Sequence, residues 1–297
     1  MKITNKLNLP EMVVQAVANE RNYDDKTYSV TEILNPVRQI LLSRRYKDSL
    51  VEDASDRIFA LLGTATHYIV EQYESDKALS EERIKYTFDN GYSVTGAFDI
   101  YEDKTLFDLK TTSVWSKVYR SGYDKWEQQL NIYRYLLVKQ GFEVDALKIV
   151  AIYRDWSVGQ AKRGGDYPPN QVEVIEFPVW EDSKTEQFIL KQLNEIDKYI
   201  NVQDNELPLC SMEDRWATPT KYAIKKKGRK SAVKVFDDIE RATEYLREKK
   251  DNKLSLETRV GTDKKCVSYC SCNKYCDYYQ ERYGVEWVVS FVKKKDI

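Results

Sequence analysis

The chain has 297 residues, of which 32% are charged and 12% aromatic, and its formal net charge is −1 at pH 7. So many aromatic residues argue against a disordered chain. No stretch approaches the ~18 consecutive apolar residues of a membrane-spanning helix, and the N-terminal residues lack the apolar segment of a secretory signal. These features exclude collagen, coiled-coil, membrane-spanning and small disulfide-rich proteins, and we expect a cytoplasmic location.

Hydrophobic periodicity and turn residues predict alternating helices and strands over the first two thirds of the chain. The predicted helices cover residues 31–43, with a break at Pro36, and residues 53–74, 123–140 and 181–201. The predicted strands cover residues 83–89, 92–101, 105–111, 144–154 and 171–179, with a hairpin turn at Asn90-Gly91. Near residue 205 the composition changes to proline, cysteine and then basic residues. We therefore expect a core at residues 1–205, with an N-terminal helical element, and a basic, cysteine-rich extension at residues 206–297 packed on it.

Two of the predicted strands bring acidic residues together. If residues 103–104 form a two-residue hairpin loop, Asp99 lies directly opposite Asp108, at a β-carbon separation of about 4.5–5.5 Å. Lys110 lies on the same face as Asp108, because side chains alternate along a strand. A register shift of one residue would separate the two acids. The simplest alternative is an exposed hairpin whose charged side chains only contact water.

Two opposed carboxylates repel each other, and burying one without a partner costs free energy. Mg²⁺ would relieve both costs, since it binds one or two carboxylates together with water and phosphate oxygens. A lysine beside such a metal can stabilise the negative charge that develops on a phosphate. The pattern therefore predicts a metal-dependent phosphate site at this hairpin.

Two pairs of polar residues on predicted helices have a spacing of four, which places each pair on one helix face. His67 and Glu71 form the first pair and follow the small residues Gly63-Thr64-Ala65, which would allow another segment to approach closely. Gln129 and Tyr133 form the second pair. Taken alone, each pair is more typical of structural or surface residues than of a functional site.

In this order, the elements resemble the RecB-type branch of the PD-(D/E)XK nuclease family. The resemblance runs from about residue 29 to residue 179 and consists of four motifs: Gly63-x3-His67-x3-Glu71, Gly96-Ala97-Phe98-Asp99, Asp108-Leu109-Lys110 and Gln129-x3-Tyr133. Residues 28–36 also resemble the opening element of phage-type members. The resemblance implies an α/β fold, a mixed central sheet flanked by helices (a restriction-endonuclease-like core), in a phage or bacterial protein.

The resemblance also implies a role for each matching residue. The residues that would bind Mg²⁺ or Mn²⁺ are His67, Asp99, Asp108 and Leu109, the last through its backbone carbonyl. Lys110 would be the catalytic lysine, and Glu71 would hold a metal-bound water. Gln129 and Tyr133 would orient the active site and the DNA strand. The reaction would be phosphodiester hydrolysis without a covalent enzyme intermediate.

All five cysteines lie in the last third of the chain: Cys210, Cys266, Cys270, Cys272 and Cys276. Clustered cysteines in a chain without an export signal indicate metal ligands before disulfides. The expected ligands are Cys210, Cys266, Cys270 and Cys276, with Cys272 as a substitute for Cys270. The expected group is a [4Fe–4S] cluster, with zinc or five metal-free thiols as alternatives. Several RecB-type nucleases hold a cluster with a similar set, although their usual spacing and the position of the distant cysteine differ from those here.

A basic segment lies between the cysteines, with seven Lys or Arg and no acidic residue from position 221 to position 235. Basic side chains neutralise phosphates, and aromatic side chains stack on bases. The residues expected to contact DNA are Trp216, Tyr222, Lys225, Lys226, Lys227, Arg229 and Lys230. The alternative is a solvated basic loop.

The sequence as a whole predicts a Mg²⁺- or Mn²⁺-dependent deoxyribonuclease, an exonuclease or single-strand end-processing enzyme of DNA recombination or repair. The preference for an exonuclease comes only from the resemblance of the Gln-x3-Tyr helix to that of relatives. The alternatives are a non-catalytic DNA-binding or assembly subunit on the same fold, and a structure- or sequence-specific endonuclease. Besides DNA, recombination or replication proteins of unknown identity are expected partners.

Overall fold

A computed structural model describes residues 1–18, 24–72, 78–80 and 83–292, without the side chains of Glu71, Ala78, Ser80 and residues 285–292. The chain forms two compact units, Met1–Val202 and Gln203–Ile297. Among the helices that are described, none has both the length and the apolar character needed to cross a bilayer.

The first unit is built around a mixed sheet of the order β10-β9-β8-β7-β4, in which only the β8–β9 pair is parallel. A second sheet has the order β2-β6-β5, and β1 pairs with β3. The strands are β1 (Lys2–Thr4), β2 (Thr27–Ser29), β3 (Val51–Asp53), β4 (Ala78–Ser80), β5 (Arg83–Thr87), β6 (Ser93–Ala97), β7 (Ile100–Glu102), β8 (Thr105–Thr112), β9 (Ala146–Tyr153) and β10 (Val172–Phe177).

Helices pack on these sheets, which confirms the predicted mixed α/β fold. Helix α4 packs against β8, and α6 packs against β5, β8, β9 and α8. The helices of this unit are α1 (Glu11–Val17), α2 (Val30–Ile33), α3 (Val37–Arg45), α4 (Ile58–Glu71), α5 (Val114–Val118), α6 (Tyr123–Lys139), α7 (Val158–Ala161) and α8 (Asp182–Tyr199).

The core lies where α6 crosses the central sheet. Strand β9 buries every second side chain, from Leu147 to Tyr153, as expected for a strand covered on that face. Helix α6 buries Leu130, Tyr133 and Leu137, which recur every three or four residues and so share one helix face. The apolar contact between α6 and the sheet fixes the helix that carries the predicted Gln129 and Tyr133 pair.

Two predicted helices differ in detail from the observed ones. Pro36 divides the first into α2 and α3, as predicted. The helix predicted over residues 53–74 begins later, because residue 53 still belongs to β3 and a 3-10 helix, Ala54–Arg57, precedes α4. The carboxylate of Asp53 accepts hydrogen bonds from Ser55 N at 3.2 Å and from Thr4 Oγ1 at 2.7 Å. It therefore holds the start of the 3-10 helix to β1.

The strand predicted over residues 92–101 is wrong as a single element. It breaks at Phe98 and Asp99, and its halves belong to different sheets, β6 to the three-stranded sheet and β7 to the central one. The Phe98 ring is buried, and the Asp99 carboxylate binds the backbone of β8. The chain thus passes from one sheet to the other at these two residues, within the second of the four predicted motifs.

The register predicted for the β7–β8 hairpin is confirmed. Asp103 and Lys104 have φ values of 45° and 57°, as a two-residue type I′ loop requires. Glu102 pairs with Thr105, and the pairing continues to Ile100 and Phe107. The next position on each side holds Asp99 and Asp108, so the two acids face each other as the sequence predicted.

The second unit contains a small antiparallel sheet of the order β12-β11-β13, on which α9 packs. The cysteine-bearing segment follows this sheet, and α11 is interrupted at Gly284. The elements are β11 (Lys221–Lys226), β12 (Lys234–Phe236), α9 (Ile239–Lys249), β13 (Leu254–Arg259), α10 (Lys264–Ser268) and α11 (Asp277–Val292).

Gly96 and Gly63 give a matched pair of stability predictions. A β-carbon at Gly96 would lie 2.4 Å from Tyr133 Cε1 and 3.0 Å from Val30 Cγ2, so Gly96→Ala must displace the α6 ring. We expect Gly96→Ala to lower the free energy of unfolding by ~1–3 kcal/mol. At Gly63, inside α4, the nearest atom to such a carbon is Thr111 Oγ1 at 3.7 Å.

Gly63→Ala is therefore expected to be neutral or to stabilise the protein by up to ~1 kcal/mol, because alanine favours helix more than glycine does. Urea denaturation followed by far-ultraviolet circular dichroism measures both variants. A Gly96→Ala variant as stable as the parent protein would contradict the close contact at Gly96. Equal destabilisation by the two substitutions would contradict the ordinary contact distance at Gly63. It would instead support a close approach of another segment at Gly63, as the sequence predicted. The 3.7 Å distance between a Gly63 β-carbon and Thr111 Oγ1 does not require such an approach.

Candidate active site

The two opposed acids are buried. Asp99 is 8% exposed and Asp108 is 2% exposed, so the alternative of a hairpin whose acids only contact water is wrong. Asp99 comes from the break between β6 and β7, and Asp108 comes from the middle of β8. Two carboxylates therefore meet at the point where the chain passes between the two sheets.

The Asp99 carboxylate joins three elements. Its Oδ2 accepts a hydrogen bond from Leu109 N at 2.6 Å, and its Oδ1 lies 3.0 Å from His67 Nδ1. Because the β7 pairing ends at Ile100, the carboxylate takes the place of a strand partner for the Leu109 N–H. The hydrogen bond with Asp99 raises the pKa of His67, against the opposing effect of burial. The imidazole on α4 is thereby oriented toward the hairpin.

The Asp108 carboxylate is crowded by charge. Its Oδ1 accepts a hydrogen bond from Gln129 Nε2 at 3.2 Å, and its Oδ2 lies 2.5 Å from Lys110 Nζ. No well-aligned hydrogen bond from the described residues reaches Oδ2. Burial raises the pKa of the Asp108 carboxyl; Lys110 opposes this rise and the Asp99 carboxylate adds to it. A further cation at this oxygen would lower the cost of keeping the carboxylate ionised.

Helix α6 completes the arrangement. Gln129 and Tyr133 are buried one turn apart, and Gln129 Nε2 donates to Tyr133 Oη at 3.4 Å. The Tyr133 ring lies against Gly96 on β6. The residues that the structure brings together are His67, Asp99, Asp108, Lys110, Gln129 and Tyr133. All four predicted motifs thus meet at one place.

The donor set suits a hard cation, although its ligands stay a prediction. Two carboxylates with open coordination for water and phosphate are what Mg²⁺ prefers, and the buried Asp108 Oδ2 without an aligned hydrogen bond fits that role. Among the described side chains, no three from His, Cys, Asp and Glu already have the geometry of a metal site. The Glu71 side chain lies outside the described part of the chain.

The predicted cysteine ligands lie near one another in the second unit. Burial raises the pKa of Cys266 to about 12, and the neighbouring Cys270, Cys210 and Cys276 add to this rise. A hydrogen bond from Cys272 lowers the pKa of Cys270 to about 7, with the two sulfurs 3.6 Å apart. All five cysteines are free of disulfides. Their mutual repulsion as thiolates is the condition that a bound metal relieves.

Asp263 is an organising residue that the sequence analysis missed. It is buried directly before α10, where Tyr278 Oη and Tyr283 Oη donate to its Oδ2 at 2.7 and 2.9 Å. Arg215 and Arg282 each place a nitrogen 3.3 Å from its carboxylate. These contacts fix the segment that carries Cys266 through Cys276. An isolated aspartate before a short helix gives no signal of such a role in the sequence.

The basic residues predicted to contact DNA do not form one continuous patch. Residues 221–226 lie in β11, so Lys225 and Lys226 point to opposite faces of the sheet. Lys226 Nζ also binds Asp251 Oδ2 at 3.1 Å, and Lys225 Nζ binds the carbonyl of Lys230 at 2.5 Å. The other predicted contacts are Trp216, which is exposed, Tyr222 within β11, and Lys227, Arg229 and Lys230 around the turn at Gly228.

No protein-family description matches the chain, and no curated protein sequence matches it. Among solved structures, the chain is similar to SSO0001, with 16% identity over 61% of this chain and 81% of that chain and a TM-score of 0.42. It is also similar to a phage related exonuclease from Haemophilus somnus 129PT, with 13% identity over 64% of this chain and 78% of that chain and a TM-score of 0.29. Both TM-scores are low, so neither similarity indicates a function for this chain.

Asp99 is expected to hold the fold and the site together, and two substitutions separate these roles. Asp99→Ala leaves the Leu109 N–H without its buried acceptor, which costs ~1–3 kcal/mol of unfolding free energy. Asp99→Asn keeps an acceptor oxygen and should stay within ~1 kcal/mol of the parent protein. If Mg²⁺ or Mn²⁺ raises the melting temperature of the parent, as the predicted metal role requires, both variants should lose that increase. Differential scanning calorimetry with and without metal measures both effects, and a metal-dependent shift in Asp99→Asn equal to that of the parent would contradict the assignment.

Proposed function

We propose that this protein is a divalent-metal-dependent deoxyribonuclease that hydrolyses phosphodiester bonds. One observation carries the proposal: the buried carboxylates Asp99 and Asp108 converge with the ammonium group of Lys110 and the imidazole of His67. Buried opposed carboxylates are costly in an ordinary surface hairpin, whereas they suit a site that binds a cation and a phosphate.

The residues of the chain supply positioning and charge. Asp99 and Asp108 would hold Mg²⁺ or Mn²⁺, which when bound supplies a Lewis acid for the phosphate and lowers the pKa of a bound water. Lys110, held beside Asp108, would stabilise the negative charge that develops on phosphate oxygens. Gln129 donates to Asp108 and so fixes its orientation. Tyr133 would help to orient the site and the DNA strand. His67 and the Leu109 carbonyl stay proposed metal ligands, and Glu71 stays a proposed contact of a metal-bound water.

We propose further that the enzyme acts from DNA ends, as an exonuclease or single-strand end-processing enzyme in recombination or repair. This step rests on the resemblance of the Gln129-x3-Tyr133 helix to that of exonuclease-like relatives. The experiment compares end-labelled linear DNA with covalently closed circular DNA of the same sequence, in Mg²⁺ and in Mn²⁺. Rapid loss of the linear form alone supports the proposal, and equal cutting of the circle identifies an endonuclease.

Two substitutions test the assignment of the site. Asp108→Ala is expected to reduce cleavage to background, and Lys110→Ala to reduce it ~10²–10³-fold, the usual cost of one electrostatic stabiliser. Cleavage of linear DNA is measured at saturating Mg²⁺, with folding checked by circular dichroism. Glu102→Ala and Lys148→Ala remove an acid from the same hairpin and a lysine from the neighbouring β9, and they should retain parent activity.

Full activity in Asp108→Ala would overturn the site assignment. A parent protein that binds DNA but does not cleave it with either metal would identify a non-catalytic DNA-binding or assembly subunit instead. The two results are distinguishable, because the first requires an active parent protein and the second an inactive one.

For the cysteines we propose a [4Fe–4S] cluster held by Cys210, Cys266, Cys270 and Cys276, with zinc as the alternative and Cys272 as a substitute ligand. The support is the placement of three other thiols, Cys210, Cys270 and Cys276, near Cys266. Anaerobic purification should give a brown protein containing iron and sulfide, and Cys266→Ser should lose both. Metal analysis that finds zinc selects the alternative, and five metal-free reactive thiols in the folded protein would overturn both.

A further inference from the structure

Exposed aromatic side chains lie where β8 leaves the candidate active site. Strand β8 carries Asp108 and Lys110 and ends at Thr112, and α5 begins two residues later. On α5, Trp115 is 49% exposed, and Tyr119, which directly follows the helix, is 72% exposed, although both are large aromatic residues. Their rings stack with centroids 5.7 Å apart and an interplanar angle of 19°. We define this pair as the aromatic platform.

The platform is held firmly by polar contacts beneath it. Ser113 caps α5, and Asp155, which follows β9, accepts hydrogen bonds from Ser113 Oγ at 2.6 Å and from Val114 N at 2.7 Å. Val114 and Ser116, on either side of Trp115 in sequence, are buried. The two exposed rings thus lie on a short helix and on the residue that follows it, and contacts with Asp155 fix the position of the helix. Little conformational entropy is therefore lost when a ligand stacks on the rings.

A cation and a third exposed ring lie at the same end of the strand. Arg154 N donates to the carbonyl of Thr112 at 2.9 Å, and Arg154 Nη1 donates to the carbonyl of Thr111 at 3.3 Å. The guanidinium carbon lies 4.4 Å from the ring centroid of Phe59, which is 63% exposed on α4. Phe59, Gly63 and His67 lie on successive turns of α4. Gly63 faces Thr111 near the end of β8.

From these contacts we infer that the platform binds the bases of single-stranded DNA as the strand leaves the candidate active site, an inference that rests on the proposed function. A strand whose phosphate lies beside Lys110 continues over the end of β8, where Trp115 and Tyr119 offer flat apolar faces. Unpaired bases expose their faces, whereas a duplex hides them within its own stack. Arg154 supplies positive charge for a neighbouring phosphate. Acidic groups nearby already have donors: Asp155 accepts hydrogen bonds from Ser113 and Val114, and Glu173 pairs with Lys117 at 2.5 Å.

The experiment measures DNA binding without cleavage, in EDTA, by fluorescence anisotropy of a labelled single-stranded oligonucleotide. Trp115→Ala and Tyr119→Ala are each expected to weaken binding about tenfold, in the range known for base–aromatic stacking. Trp115→Phe and Tyr119→Phe keep a ring and should restore most of the affinity. Val174→Ala removes an exposed apolar side chain from β10 and should leave the affinity unchanged.

The decisive measurement is a scan of single abasic nucleotides along the oligonucleotide. In the parent protein, removing one or two particular bases should weaken binding about as much as Trp115→Ala does. In Trp115→Ala the same removals should have little further effect, because the stacking partner is already lost. Arg154→Gln should instead lower the salt dependence of binding by about one phosphate contact, whatever the base.

Three other outcomes of these measurements separate the inference from its alternatives. Identical abasic profiles in the parent and in both alanine variants overturn the inference, even if the protein cleaves DNA. The inference is also overturned if the alanine variants bind DNA as the parent does but change their oligomeric state in gel filtration. That result identifies the platform as a contact between copies of the chain. A base-dependent profile in a protein that never cleaves DNA supports base stacking while refuting the proposed nuclease activity.

Discussion

The hydrogen bond from the Leu109 N–H to the Asp99 carboxylate joins the fold to the candidate site. It forms directly before β7 begins, so an acidic side chain completes the edge of β8 in place of a strand. The other oxygen of the same carboxylate faces His67 on α4. Helix α4, the break between two sheets and the strand carrying Asp108 are thus held in one arrangement. A shift of one register position would lose the backbone contact and the convergence of charges together.

Crowding of like charges recurs in the two units. In the first, the Asp108 carboxyl has a raised pKa because it is buried and lies near Asp99. In the second, the Cys266 thiol has a raised pKa because it is buried and lies near other thiols. Both groups would be easier to ionise beside a cation, since the attraction would offset burial and repulsion. A hard cation would therefore suit the oxygens, and a softer metal would suit the sulfurs.

The parts of the site that follow from local rules could be predicted from the sequence. The loop at Asp103 and Lys104 sets the hairpin register, and strand alternation then places Lys110 beside Asp108. The break at residues 98–99 could not be predicted, because strand-forming residues such as Val94 and Ile100 lie on both sides of it, and only pairing with two different sheets divides the run. The Asp263 network was equally hidden, since its partners lie up to 48 positions away along the chain, as Arg215 does.

The different structural roles of Lys110 and Asp99 have a consequence for how a protein with the proposed activity could lose it. Lys110 is partly exposed, and replacing it would disturb little beyond its ion pair with Asp108. Asp99 also accepts a hydrogen bond from the Leu109 N–H, so replacing it would lower the stability of the fold. A descendant that no longer cut DNA would therefore be expected to discard the lysine early and retain this acid. An intact Asp99 is thus poor proof of catalysis in a related chain, whereas an intact lysine is the more telling sign.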